Sequence, residues 1–244
     1  MTSRISPSDI VKLLGMMRPQ KPAGLQKIRV GDEGSGGYIL PDDLEGLSAV
    51  VAIGVGGNVS FDHHFAMRGV QVYQYDHTIE QPPAAHANFH FRRMGWAAEN
   101  SASMVSLAQI LADHALGSSF DMVLKFNVGN AEWGALNSCT DELLSHFRII
   151  TAELHGFCLL EEPANLDLFL RRMALLTSQH TPVHLHANNS AAFRIIEGVP
   201  VPDVVKLTLL RNDRDRFAPS FDPIPGPLDT PCAPHLPDIV LRTF

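Results

Sequence analysis

Residues 48–62 read SAVVAIGVGGNVSFD, an apolar run that leads directly into three closely spaced glycines and then into a segment expected to be helical. A buried strand that turns sharply into a helix has this pattern. Gly54, Gly56 and Gly57 would let the backbone pass close to a ligand, and the N-terminus of the following helix offers free N–H donors. The segment therefore predicts a strand, turn and helix that bind a nucleotide-containing cofactor.

Apolar runs alternate with helix-like segments from Leu47 onward, as in a parallel sheet with crossover helices. We predict an α/β, Rossmann-like fold with a seven-stranded, mostly parallel, doubly wound sheet. The strands are expected near 49–53, 71–75, 89–93, 122–126, 149–154, 183–187 and 204–209. Helices are expected over about 61–68, capped by Ser60, and over 164–178.

The chain has 244 residues, a length that one large α/β domain accommodates. We predict a single domain over 1–244, with an N-terminal helix and loop (1–46), a core (47–217) and a proline-rich extension (218–244) that runs extended over the surface. The net charge is −7 and the 19 Lys and Arg are scattered, which argues against a nucleic-acid partner. Neither a bilayer-length apolar run nor a signal-peptide pattern occurs, so a cytoplasmic protein without membrane contact is expected.

The second predicted strand, VQVYQYD (70–76), ends in Asp76. A carboxylate at this position can accept hydrogen bonds from both ribose hydroxyls of an adenosine. The glycine turn lacks the third glycine of the dinucleotide fingerprint, because Val59 stands at that position. This favours S-adenosylmethionine over NAD as the cofactor. A purely structural turn followed by an exposed strand-end aspartate is the alternative.

The segment FDMVLKFNVGNAEWGAL (120–136) resembles the LKxDxEGxEWxxL pattern at the fourth strand of FkbM-related, methyltransferase-like proteins. RVGDEGSGGYIL (29–40) is similar to that family's RxGxxxDGGYV loop, and IGVGGNVSFD also fits. Further matches are AELHG (152–156), HLHANN (184–189) and LDTPCAPHLPDIVL (228–241). The resemblance covers nearly the whole chain. It implies a class I methyltransferase fold and O-methylation of a sugar or another small polar acceptor, with S-adenosylmethionine as the methyl donor.

The positions that match these motifs define the expected binding residues. The expected cofactor-binding residues are Gly36, Gly37, Tyr38, Gly54, Gly56, Gly57, Asn58, Asp76 and Asn127. The expected substrate-binding residues are Glu132, Trp133, Asn188 and Asn189. Trp133 has a structural alternative as a core anchor of the following helix, and Lys125, which keeps a charge of the family pattern, has one as a solvated strand-end lysine.

Several acidic positions of the family pattern are neutral in this chain. Ser35 and Asn127 stand where the family usually has Asp, and Gly129 with Asn130 replaces Glu-Gly. Asn127 can still accept a hydrogen bond from a methionine ammonium, but that bond lacks the strength that a charged acceptor adds. The loss of carboxylates also removes hard oxygen ligands for Mg²⁺, so no metal is expected.

The candidate catalytic residues lie at the ends of the fifth and sixth strands. Ligands of open α/β sheets bind beyond the carboxyl ends of the strands. The residues expected to converge there on an acceptor hydroxyl are His155, His186, Asn188 and Asn189. Neutral imidazole suits a general base near pH 7, so His155 is the first candidate, and Glu153, expected on the opposite strand face, is its rival. A structural histidine bonded to a backbone carbonyl is the alternative.

Two other functions are compatible with the sequence. The missing carboxylates are consistent with a catalytically silent methyltransferase fold that serves as a binding or assembly module. A nicotinamide-dependent oxidoreductase would share the glycine turn and Asp76, but it leaves the fourth-strand pattern unexplained. The expected partner is a small-molecule acceptor, and the sequence is compatible with an oligomer.

Overall fold

A seven-stranded sheet forms the centre of the computed structural model, which describes residues 5–241. Its strands are β1 (Ala49–Ile53), β2 (Gln71–Tyr75), β3 (Phe89–Arg92), β4 (Met122–Asn127), β5 (Phe147–Leu154), β6 (His180–Ala187) and β7 (Val205–Arg211). Their order across the sheet is β6-β7-β5-β4-β1-β2-β3. β7 pairs antiparallel with both β5 and β6, and the other neighbours are parallel. The prediction of a seven-stranded, mostly parallel α/β sheet is confirmed.

Helices and short strand pairs surround this sheet. The α-helices are α1 (Pro7–Gly15), α2 (Ser60–Ala66), α3 (Leu107–Asp113), α4 (Ala131–Ala135), α5 (Asp141–Ser145) and α6 (Pro163–Leu176). The short antiparallel pairs are Lys27–Val30 with Tyr38–Pro41, Gln20–Pro22 with Phe217–Pro219, and Phe193–Ile196 with Val199–Pro202. Gly95–Trp96 pairs in parallel with Met104–Val105, and 3₁₀ turns cover Gly34–Gly36, Leu136–Ser138 and Phe157–Glu161.

Strand side chains alternate between two apolar layers, one on each face of the sheet. One layer joins alternate residues of β1, β4, β5 and β7 to apolar side chains of α1, α3 and α6. The other joins the intervening residues to α2 and to the hairpin over residues 27–41. The second hairpin strand, Tyr38–Pro41, contacts β5, β6 and β7. A hairpin, and not a helix, therefore covers that half of the sheet.

Two local predictions are wrong. Helix α2 begins at Ser60 and has Val59 at its N-cap, so Ser60 is not the capping residue; its amide instead donates to Asn58 Oδ1 at 2.8 Å. The extension after residue 218 lies mostly on the surface but does not run extended, because it turns back until Leu241 pairs with Ile224; Ala233 and the Asp229 side chain are buried along the way. Aspartates between its prolines reach buried histidines, Asp229 to His184 and Asp238 to His186.

Candidate functional site

The three glycines of the turn after β1 have two different roles. Gly54 has φ +77°, and a Cβ there would lie 1.8 Å from the carbonyl oxygen of Asn127, so the approach of β1 to β4 requires glycine. A Cβ at Gly56 or Gly57 would meet no atom within 4 Å. The first glycine therefore serves internal packing, whereas the other two border open space.

That open space is a crevice of about 290 Å³ at the carboxyl ends of β1, β2 and β4. The predicted cofactor residues that line it are Gly36, Tyr38, Gly54, Gly56, Gly57, Asn58, Asp76 and Asn127. Gly37 does not line it. A Cβ at Gly37 would lie 2.1 Å from the carbonyl oxygen of Asp32, so this glycine shapes the 31–37 loop instead. The structure thus brings together all of the predicted set except Gly37.

The carboxylate of Asp76 is fully engaged within the protein. Oδ2 accepts hydrogen bonds from the amides of Val55 and Gly56, both at 2.9 Å, and Oδ1 accepts from the amide and the hydroxyl of Thr78. Burial would raise the pKa of Asp76, but these hydrogen bonds outweigh burial and hold the pKa below its usual value. Asp76 therefore shapes the glycine turn, and a ribose would have to compete with four internal donors.

Lys125 fixes the other side of the same turn. Its ammonium is buried and donates to the carbonyl oxygen of Gly54 at 2.5 Å. Burial lowers the pKa of Lys125, against the opposing charges of Asp62, Glu153 and Asp76. The alternative of a solvated strand-end lysine is wrong, because the side chain points under the turn and not into solvent.

A row of polar side chains crosses four strands next to the crevice. Strand register places Asn127 beside Glu153, Glu153 beside Lys206, and Lys206 beside His186. We call these four residues the polar row. Glu153, Lys206 and His186 are all buried. The row begins at the crevice and continues beneath the 31–37 loop.

Lys206 ties that loop to the sheet. Its ammonium donates to the carbonyl oxygens of Gly34, Ser35 and Gly37 at 3.1, 2.9 and 2.9 Å, and it lies 4.8 Å from the ring centroid of Tyr38. Sequence reasoning missed Lys206. The available signal was a lysine inside the apolar run VVKLTLL, since a buried lysine requires partners.

His155 lies between two carboxylates. Glu132 Oε1 is 3.1 Å from Nδ1, and Glu153 Oε1 is 3.5 Å from Nε2. Burial would lower the pKa of His155, but the hydrogen bonds and charges of both glutamates outweigh burial and raise it to about 9. His155 is therefore an imidazolium at neutral pH, which contradicts its prediction as a neutral base. Glu153 also lies on the same side of β5 as His155, as residues two apart on a strand must, so its predicted opposite placement is wrong.

Glu132 and Trp133 lie in the core and do not line the crevice. Glu132 Oε1 also accepts from the backbone amide of His155 at 2.6 Å. Trp133 Nε1 donates to the carbonyl oxygen of His155 at 2.7 Å, and its indole stacks on Phe169 with ring centroids 3.9 Å apart. These contacts correct the substrate-binding prediction for both residues. Trp133 is a core anchor that also positions the end of β5.

The remaining predicted acceptor residues are occupied by internal partners, most of them in the C-terminal segment. His186 Nε2 lies 3.0 Å from both carboxylate oxygens of Asp238. The Asn189 amide donates to the carbonyl oxygens of Ala233, Leu236 and Pro237, and its Oδ1 accepts from the Ala233 amide.

Asn188 is bonded to Glu153 and Ser190. His155, His186, Asn188 and Asn189 therefore do not converge on an open acceptor site, which corrects that prediction.

Comparisons with known proteins add no family assignment. A scan against protein-family models found no match to this chain, and a search of the curated proteins found none. Within residues 5–241, none of the helices combines the length and apolar character needed to cross a membrane. The same residues contain no group of three or more His, Cys, Asp and Glu side chains arranged to hold a metal ion.

Proposed function

We propose that this chain is an S-adenosylmethionine-dependent methyltransferase with a Rossmann-like class I fold that acts on a hydroxyl of a small polar acceptor. The observation that carries the proposal is the crevice bordered by Gly56, Gly57 and Asn127. In open α/β sheets, ligands bind beyond the carboxyl ends of the strands where the strand order reverses. In this sheet that point lies between β1 and β4, where the crevice opens.

Strand order and crevice size support this cofactor over NAD. The dinucleotide-binding order is 3-2-1-4-5-6. Here an antiparallel β7 lies between β5 and β6, which departs from that order. The crevice volume of about 290 Å³ lies at the lower limit of the roughly 300–1,000 Å³ typical of small-molecule sites. A single nucleoside-sized group fits this volume better than a dinucleotide.

The residues that surround the crevice suit the parts of this cofactor. Backbone at Gly56, Gly57 and Asn58 would lie along the adenosyl part, since no side chain fills that side of the turn. The side-chain oxygen of Asn127 would accept a hydrogen bond from the methionine ammonium. When bound, the cofactor supplies an electrophilic methyl group on its sulfonium.

Glu153 is the base that the site supports best. Burial would raise its pKa, but the contact with His155 and the charge of Lys206 outweigh burial and lower it, so the carboxylate is ionised. Its Oε2 has no hydrogen-bond partner among residues 5–241. We assign removal of the acceptor proton to this oxygen, with His155 as an imidazolium that orients the other oxygen.

A catalytically silent fold that binds a ligand is the second candidate. The observation that favours it is the saturation of polar groups: Asp76 is held by backbone donors, and His186 and Asn189 are held by the C-terminal segment. A binding module requires only the open crevice. Methyl transfer also requires that an acceptor reach Glu153.

Calorimetric and thermal-shift titrations with S-adenosylmethionine, S-adenosylhomocysteine and NAD test the proposal. The true ligand at a hundredfold excess over its Kd should stabilise the protein by about 2.7 kcal/mol. Gly57→Leu should abolish this shift by filling the crevice. Gly117→Leu is the matched control, because Gly117 also borders open space but lies away from the crevice.

Stabilisation by NAD alone would overturn the cofactor assignment. If S-adenosylmethionine binds, Glu153→Gln should abolish methyl transfer to small hydroxyl acceptors while leaving cofactor affinity within about twofold. Cofactor binding by the wild-type protein without transfer to any acceptor of this class would favour the silent fold.

A further inference from the structure

A second and larger cavity lies on the far side of the hairpin from the crevice. It is a groove of about 800 Å³ between residues 18–27 and residues 220–228, with Ile39, His184 and Leu185 at its base. Among the described residues, none lines both the groove and the crevice. Its volume is within the range of small-molecule sites, roughly 300–1,000 Å³.

The groove concentrates positive charge in a chain whose net charge is −7. Arg18, Lys21 and Lys27 line it, and within residues 5–241 their side chains form no hydrogen bond or ion pair. The acidic residue in the lining is Asp222, which is exposed. Cations therefore outnumber carboxylates in the lining of the groove.

Lys27 is the most sheltered of these cations. Its side chain is half-buried, and burial lowers its pKa despite the charges of Asp222 and Asp229. Asp229 offers Lys27 its charge, but both of its oxygens already have partners, His184 Nε2 at 2.9 Å and the Gly226 amide at 2.7 Å. A bound anion would give the Lys27 ammonium the partner that this environment lacks.

The remaining lining of the groove is largely apolar. Leu25, Ile39 and Ile224 contribute partly or fully buried side chains, and Leu228 is exposed. Phe221 is 87% exposed at the rim. A ligand with an apolar body would cover these surfaces while its charged end met the cations.

We propose that the groove binds a soluble phosphate monoester with an apolar or aromatic body. Three cationic side chains line the groove, so a ligand with several acceptor oxygens can give each of them a partner. A phosphate monoester carries about −1.5 to −2 at pH 7 and presents three acceptor oxygens. The phosphate would contact Arg18, Lys21 and Lys27, and the body would lie against Ile39 and Leu228. This site is separate from the proposed cofactor crevice.

Calorimetric titration of the full chain with phenyl phosphate, inorganic phosphate and phenol tests the site. Phenyl phosphate should bind at one site, and more tightly than either fragment, because it alone uses both the cations and the apolar walls. Lys27→Met and Arg18→Gln should each weaken it by about tenfold, as expected when a charged hydrogen bond is lost. Lys12→Met is the matched control, because Lys12 is an exposed lysine outside the groove.

Equal weakening by Lys12→Met would overturn the proposal, as would binding that neither groove variant changes. Inorganic phosphate binding as tightly as phenyl phosphate would show that the apolar walls take no part, and this outcome would also overturn it. Arg18 is exposed, so Arg18→Gln keeps the test decisive even if Lys27→Met fails to fold. Phenyl phosphate should bind Gly57→Leu unchanged, which separates the groove from the crevice.

Discussion

At the carboxyl ends of the strands, the two halves of the sheet use their polar groups in opposite ways. Beside β1, β2 and β4, glycines leave a crevice open, and the polar side chains shape the backbone around it. Beside β5, β6 and β7, the 31–37 loop and the C-terminal segment cover the sheet and satisfy its polar side chains. A ligand can therefore enter the open half, beside β1, β2 and β4, without rearrangement, whereas a ligand of the covered half, beside β5, β6 and β7, would have to displace internal partners.

The largest effect should come from Gly54→Ala in the open half. The left-handed φ costs about 1–3 kcal/mol for a non-glycine residue, and a Cβ 1.8 Å from the Asn127 carbonyl adds overpacking of about 1–3 kcal/mol. The free energy of unfolding in urea should fall by roughly 4 kcal/mol.

Gly57→Ala is the matched control for this substitution. Gly57 borders open space without a left-handed φ, so the change should alter stability by less than about 0.5 kcal/mol. The crevice assignment depends on Gly54 being required for packing and Gly57 bordering open space. Equal losses of unfolding free energy for the two variants would contradict this distinction.

Lys206→Met should give the next largest effect, in the covered half. The substitution removes the donor to the carbonyls of Ser35 and Gly37, leaves Gly34 with Arg29 as its remaining side-chain donor, and removes the cation next to Glu153. Breaking such a buried set should lower the unfolding free energy by about 3 kcal/mol. Lys12 is exposed, so the control substitution Lys12→Met should change the unfolding free energy by less than about 0.5 kcal/mol.

Proteolysis provides a second measurement for the same variant. If Lys206 ties the loop to the sheet, trypsin should cleave after Arg29 faster in Lys206→Met than in the wild type, at denaturant concentrations where both remain folded. Unchanged cleavage together with unchanged stability would mean that the loop is held without Lys206.

The sheet and the open crevice were predictable because their signals are local in sequence. Strand-length segments in which apolar residues run together or alternate with polar ones mark β1 to β7, and the glycines that form the turn follow β1 directly. Asp76 lies at the end of β2, so topology alone brings it to the turn. Its role was less predictable, because four donors within the protein occupy its carboxylate.

The covered half was not predictable because its partners are distant in sequence. The hydrogen bonds of Lys206 to the loop and of His186 to Asp238 join elements that no local pattern connects. Prolines in the C-terminal segment predicted an extended path but not which side chains would turn inward. The register that aligns Asn127, Glu153, Lys206 and His186 depends on an antiparallel β7, which the sequence pattern did not reveal.

The smallest effect concerns the boundary between the two halves, where His155 contacts Glu132 and Glu153. A folded pKa of about 9 lies above the unfolded value of 6.5, so the folded state binds the proton more tightly. The stability that His155 contributes is therefore fully present below pH 6.5 and is lost as the pH rises through about 9. The unfolding free energy of wild type relative to His155→Gln should fall across this window, by on the order of 2 kcal/mol after screening.

The same comparison in a Glu153→Gln background separates the two glutamates. If Glu153 contributes to the raised pKa of His155, the pH-dependent part of the stability difference should shrink when its charge is removed. NMR titration of the His155 ring should show the same change as a lower midpoint. A midpoint near 6.5 in the wild-type protein would mean that His155 is neutral at pH 7. His155 would then be available as a base, and the proposed role of its imidazolium in orienting Glu153 would be wrong.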